Sequence, residues 1–144
     1  QDPPGGIAVR VLGVDFGLKR VGLAVCDPAG ILASPLPTLQ RTTREALFNA
    51  LTALVTAENV EAVVVGLPLA LDGSDTETTR QARNFAQSLQ RRLTIPVHLE
   101  DERLTSAAAE EELKEAGLCA RKRKQALDSQ AAVQILRSWL DRAG

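Results

Sequence analysis

Ala62-Val63-Val64-Val65-Gly66 narrows the possible folds more than any other segment of the chain. A short continuous β-branched run suits a strand buried on both faces, and such strands belong to parallel sheets covered by helices. Just upstream, Thr42-Thr43-Arg44-Glu45 reads as a capping box with Thr42 as the N-cap and Glu45 reaching back. Ala46, Leu47, Ala50, Leu51, Leu54 and Val55 follow at helical spacing, which predicts a helix to about Glu58. A helix feeding a buried strand is a crossover unit, so an α/β fold is expected.

The rest of the chain extends that pattern. Strands are predicted over 8–14, Arg20–Cys26 and 31–34, with a break at Gly17 and a hairpin turn at Asp27-Pro28-Ala29-Gly30, giving an antiparallel three-stranded start. A second capping box, from Ser74 to Glu77, precedes a helical face of Ala82, Phe85, Ala86, Leu89 and Leu93. A fifth strand is read over 95–99 and a helix over about 105–116, stopped by Gly117. After a basic loop, a last helix is read from about Lys124 to Arg142. The order βββαβαβαα predicts one α/β domain over 7–144, a five-stranded mixed sheet with helices on both faces. The first six residues, Pro- and Gly-rich, are read as a disordered leader or tag remnant.

Composition removes several classes of function. A 44% hydrophobic and 24% charged chain of 144 residues has room for one sizeable core and no apolar run long enough to span a bilayer. Cys26 and Cys119 lie far apart, outside any zinc-ligand spacing, which makes the cytoplasm the expected compartment. A formal charge of -1 gives no global pull on nucleic acid, so such a partner needs a local basic surface. Arg121-Lys122-Arg123-Lys124 is the candidate, although a solvated loop is its plainer reading.

Three acidic positions stand where carboxylates are costly. Asp15 closes the apolar run of the first strand, Asp101-Glu102 follows the fifth, and Asp128 shares a helical stripe with Ala132, Ile135 and Trp139. Each has an ordinary explanation: a turn at Asp15, pairing with Arg103 or helix capping at Asp101-Glu102, and the helix dipole at Asp128. Yet two carboxylates about 4 Å apart repel by roughly 4 kcal/mol at an effective dielectric near 20, so a cluster of three calls for a cation between them. Their oxygens suit Mg²⁺ or Mn²⁺, which points to hydrolysis of a phosphodiester without a protein nucleophile. Glu102 is preferred to Asp101 because its side chain reaches further. Gly13 and Gly17 are expected to clear space for a phosphate beside Asp15. Lys19, Arg20 and Arg103 join the basic run as candidate nucleic-acid contacts, whereas Arg80 and Arg83 read as surface charges and His98 as structural.

Four stretches, Gly13-Val14-Asp15-Phe16-Gly17-Leu18-Lys19-Arg20, Val65-Gly66-Leu67-Pro68 with Asp72-Gly73-Ser74, Asp101-Glu102-Arg103-Leu104-Thr105-Ser106, and Asp128-Ser129-Gln130-Ala131-Ala132, together resemble the YqgF/RuvX family. The resemblance implies a ribonuclease H-like fold related to the RuvC resolvases, with Asp15, Glu102 and Asp128 as metal ligands and catalytic acids. It also implies a nuclease that matures the 5′ end of pre-16S ribosomal RNA, or one that resolves four-way DNA junctions, acting as a monomer or homodimer with no membrane partner. Asp15-Phe16-Gly17 with Lys19 is also similar to the first phosphate loop of actin-like ATPases and sugar kinases, but those proteins need a second loop and lobe that 144 residues do not accommodate. A non-catalytic nucleic-acid binding module remains a third expectation, in which the basic run binds without metal.

Overall fold

All six residues of Ala62–Leu67 are buried, as the β-branched run requires, and a parallel strand flanks them on each side. The computed structural model describes residues 10–17, 19–27, 32–70, 72–101 and 120–143, the side chains of 120–129 and 142–143 excepted. Within these run β1 (Val11–Phe16), β2 (Arg20–Cys26), β3 (Ala33–Gln40), α1 (Arg44–Ala57), β4 (Ala62–Leu67), α2 (Glu77–Arg92), β5 (Val97–Asp101) and α3 (Ala120–Ala143). One sheet takes the order β3-β2-β1-β4-β5, antiparallel through β3, β2 and β1 and parallel through β1, β4 and β5. The expected mixed sheet with an antiparallel start is therefore present. The leader over 1–6 and the helix read over 105–116 lie outside the described residues.

Alternation along the strands splits the core in two. Leu12, Val14, Val21, Leu23, Val25, Val63 and Val65 face α1 and α2, meeting Phe48, Leu51, Phe85 and Leu89. Val11, Ala24, Cys26, Ala62 and Val64 face α3, meeting Ala132, Val133, Ile135 and Leu136. Each large side chain buried in either layer contributes about 1.5–3 kcal/mol of transfer free energy.

Several boundaries differ from the sequence reading. β1 starts three residues later and ends two residues later than expected, and so contains Asp15. β3 reaches Gln40 because Pro35 and Pro37, which cannot donate to a ladder, sit in an edge strand with a neighbour on one side only. The cap of α1 is Thr43, whose hydroxyl accepts from the Ala46 amide, and the capping box of α2 pairs Thr76 with Thr79; Thr42 and Ser74 do not hold these roles. α3 begins at Ala120, so the basic run lies in helical backbone and not in a loop.

Candidate active site

The carboxyl ends of β1, β4 and β5 share one edge of the sheet, where ligands of open α/β folds bind. Asp15 sits at this edge. Its direct partner on β2 is Gly22. On the other side the register pairs Val14 with Val65, so the next residue in line with Asp15 is Gly66, which in turn pairs with Glu100 of β5. Strand alternation puts Gly22, Asp15, Gly66 and Glu100 on the face that α3 covers. The acid is thus flanked on both sides by residues without a side chain.

α3 crosses this face. A Cβ added to Gly13 would meet the Ala132 carbonyl oxygen at 2.8 Å and Leu136 Cβ at 3.0 Å, so the helix rests directly on β1. Asp128 lies four residues before Ala132, about 6 Å along the helix axis, and Ala132 and Ile135 of its stripe are fully buried. Gly17 is needed for the turn into β2, where its own added Cβ would fall 2.6 Å from the Arg20 carbonyl oxygen. Close backbone approach accounts for both glycines.

β5 is separated from β1 by β4, so its acids stand about two strand spacings, roughly 10 Å, from Asp15 along the sheet. Asp101 closes β5 on the opposite face from Asp15 and is exposed. Glu100, which the sequence reading passed over, is 4% exposed and accepts a 2.6 Å hydrogen bond from the Ser138 hydroxyl. His98, on the same face, packs its ring 5.1 Å from that of Trp139. Glu102, Arg103 and the side chains of Asp128 and of Arg121-Lys122-Arg123-Lys124 lie outside the described residues. Among the described residues no group of three His, Cys, Asp or Glu side chains is placed to hold a metal ion.

At the same edge, Lys19 is exposed in the turn between β1 and β2, and Arg20, the first residue of β2, is half-buried. The Lys19 carbonyl accepts from the Arg41 amide at 2.9 Å. Arg80 and Arg83 pair with Glu77 and Asp75, as surface charges do; the Arg80 contact holds the exposed Glu77 carboxyl below its ordinary pKa. A second feature had no local sequence signal: a cavity of about 400 Å³ behind Phe16, lined in part by Arg41, Arg44, Gln81 and Asn84.

The architecture is that of the ribonuclease H-like resolvases. The Thermus thermophilus RuvC structure in complex with Holliday junction substrate superposes with a TM-score of 0.57 at 17% identity, covering 94% of this chain and 96% of that one. The fowlpox virus Holliday junction resolvase gives the same TM-score at 13% identity, covering 92% and 98%. A family model described as RuvX, Holliday junction resolvase, matches residues 9–142, and the chain belongs to this family. A Maridesulfovibrio salexigens protein bearing the provisional name pre-16S rRNA nuclease is 60% identical over 94% of this chain and its own full length. A Nitratidesulfovibrio vulgaris protein of the same provisional name is 49% identical over 92% of this chain and 94% of its own length.

Proposed function

We propose that this chain is a divalent-metal-dependent endonuclease that hydrolyses phosphodiester bonds of structured nucleic acid, acting in 5′-end maturation of pre-16S rRNA in the cytoplasm. The observation that carries this reading is the place of Asp15, at the carboxyl edge of β1 between Gly22 and Gly66, in a chain matched to RuvX over 9–142. The glycines leave the α3 side of that rung without neighbouring side chains, and an all-oxygen donor set of Asp15, Glu102 and Asp128 fits Mg²⁺ or Mn²⁺. When bound, such an ion supplies Lewis-acid activation of a water and charge neutralisation at the phosphate.

This chain's own residues do the remaining work. The backbone of Asp15 is held by pairing with Gly22 of β2, at the end of a strand that also pairs with β4 up to Val14. Asp128 belongs to a helix whose backbone at Ala132 is seated against the same strand. Lys19, Arg20 and Arg103, with Arg121, Lys122, Arg123 and Lys124, neutralise backbone phosphates and hold the substrate in register. No helix among the described residues is long and apolar enough to cross a membrane.

The description of the matching family supports a second reading, resolution of four-way DNA junctions. Symmetric incision of a two-fold junction needs two active sites and so a homodimer, whereas trimming of an RNA end needs one. The test is cleavage of pre-16S leader RNA and of a four-way junction side by side with Mg²⁺ or Mn²⁺, with sedimentation of the same sample. Asp15→Asn is expected to abolish cutting with the fold intact. Cutting that persists in that variant, or in excess chelator, would overturn the assignment.

A further inference from the structure

We propose that the cavity behind Phe16 binds one unpaired nucleotide of the substrate strand, its phosphate on Arg41 and Arg44 and its base edge on Gln81 and Asn84. The inference rests on the nuclease reading above and extends it to a site on the other face of the sheet. Phe16 follows Asp15 directly, and successive strand residues point to opposite faces. The cavity and the acid therefore share one sheet end, and a strand lying over that end reaches both.

The chemistry of the lining selects the ligand. Two guanidinium groups, the threonines Thr42 and Thr43, and two carboxamides surround a floor of Leu47, Phe48 and Phe85, and no carboxylate is among the described residues that line it. Guanidinium forks suit phosphate oxygens, and carboxamides, each both donor and acceptor, suit the edge of a base. At about 400 Å³ the cavity lies in the range of small-ligand sites and is far too small for a duplex. A base must leave its pair and its stack to enter such a cavity and present its Watson–Crick edge there beside its phosphate.

The arginines are held in advance. Arg41 stands 4.3 Å over the Phe16 ring while its Nη1 donates to the Gly17 carbonyl at 2.8 Å. Arg44 lies 5.2 Å over Phe48 and donates to the Ser88 hydroxyl. The rings are themselves stacked, Phe16 on Phe85 at 4.3 Å and Phe85 on Phe48 at 5.5 Å. A guanidinium fixed on an aromatic face loses less side-chain freedom when it meets a phosphate, so the cation–π array prepays part of the cost of binding.

The test is binding of short labelled single-stranded RNA, of DNA with the same sequence and of a blunt duplex to the full chain in EDTA, at several salt concentrations. Arg41→Ala and Arg44→Ala are each expected to weaken single-strand binding about tenfold and to lower its log–log salt slope by about one, leaving the duplex unaffected. Gln81→Ala with Asn84→Ala is expected to keep the slope and flatten preference among homopolymers. Arg41→Lys keeps the charge, and with it the slope, in a variant whose fold is under less threat than that of Arg41→Ala. A role confined to covering the aromatic rings would shift thermal stability and leave the salt slope unmoved. Variants that bind single strands with wild-type affinity and slope overturn the cavity assignment alone, provided the wild type still cuts. A wild type that binds none of these probes and no junction overturns the nuclease reading with it.

Discussion

Gly13 of β1 lies directly beneath Ala132 of α3, so closely that a single methyl group on Gly13 would stand 2.8 Å from the Ala132 carbonyl oxygen. Backbone cannot yield as a flexible side chain does, so Gly13→Ala must lift the helix. The expected cost is about 1–3 kcal/mol, the usual penalty for overpacking, read as a lower urea midpoint at unchanged slope. Because Asp128 is one turn upstream on the same helix, cleavage is expected to fall by more than the loss of folded protein explains. A variant with wild-type midpoint and activity would show that α3 is not seated on β1.

The hydrogen bond from the Ser138 hydroxyl to the Glu100 carboxylate, 2.6 Å long, joins α3 to β5. Glu100 is 4% exposed, so removing a donor there has a larger effect than at the surface. Ser138→Ala is expected to destabilise by about 1–3 kcal/mol. Adding Glu100→Gln, which removes the charge and keeps the shape, is expected to recover part of that loss. A loss in the double variant equal to the sum of the losses in Ser138→Ala and Glu100→Gln alone would mean that the two residues are not coupled.

Helix starts provide a cleaner contrast. Thr43 and Thr76 cap α1 and α2, and Thr76 both accepts from and donates to Thr79. Thr43→Ala and Thr76→Ala are each expected to cost about 1 kcal/mol, whereas Thr42→Ala is expected to stay within about 0.5 kcal/mol of wild type. Thermal melts of the three variants decide it, and a Thr42→Ala penalty as large as that of Thr43→Ala would move the cap back to Thr42.

These caps show where the sequence was legible and where it was not. β4 and β2 are readable because their apolar runs are local, short and rich in β-branched residues, which favours a strand over a helix. The register of a helix start was not, since adjacent hydroxyls at Thr42 and Thr43 offer equivalent caps until the helix docks. The expected fifth strand starts and ends two residues before β5 does, a shift that preserves the faces of a strand. It did hide Glu100, which fell just beyond the expected strand end. Asp15 stood out because an acid terminating an apolar strand breaks the local pattern. The cavity behind Phe16 had no such signal: Phe16, Arg41, Arg44, Gln81 and Asn84 come from three separated stretches that only the docking of α1 and α2 on the sheet brings together. The Gly22–Asp15–Gly66–Glu100 rung likewise depends on strand order, which no single segment encodes.

Cys26 allows a prediction with a definite sign. Its sulfur is buried among the residues under α3 and accepts from the Val11 amide at 3.0 Å. Burial pushes the thiol pKa above its ordinary value of 9.0, against a smaller opposing effect from the Val11 hydrogen bond. In the folded protein the proton is therefore held to higher pH than in the unfolded chain. Below the unfolded pKa both states carry the proton and the full contribution to stability is present; as pH rises through the folded value, the unfolded chain releases its proton first and that contribution is lost. In a Cys119→Ser background, urea stability is expected to fall as pH rises above about 8.5, the ordinary thiol range, by more than it does after adding Cys26→Ser, which cannot titrate there and retains an oxygen acceptor for Val11. The same burial makes native Cys26 react with an aromatic disulfide more slowly than in urea. Parallel pH profiles for the two variants, together with rapid labelling of the native protein, would place the sulfur outside the core and detach α3 from this part of the sheet.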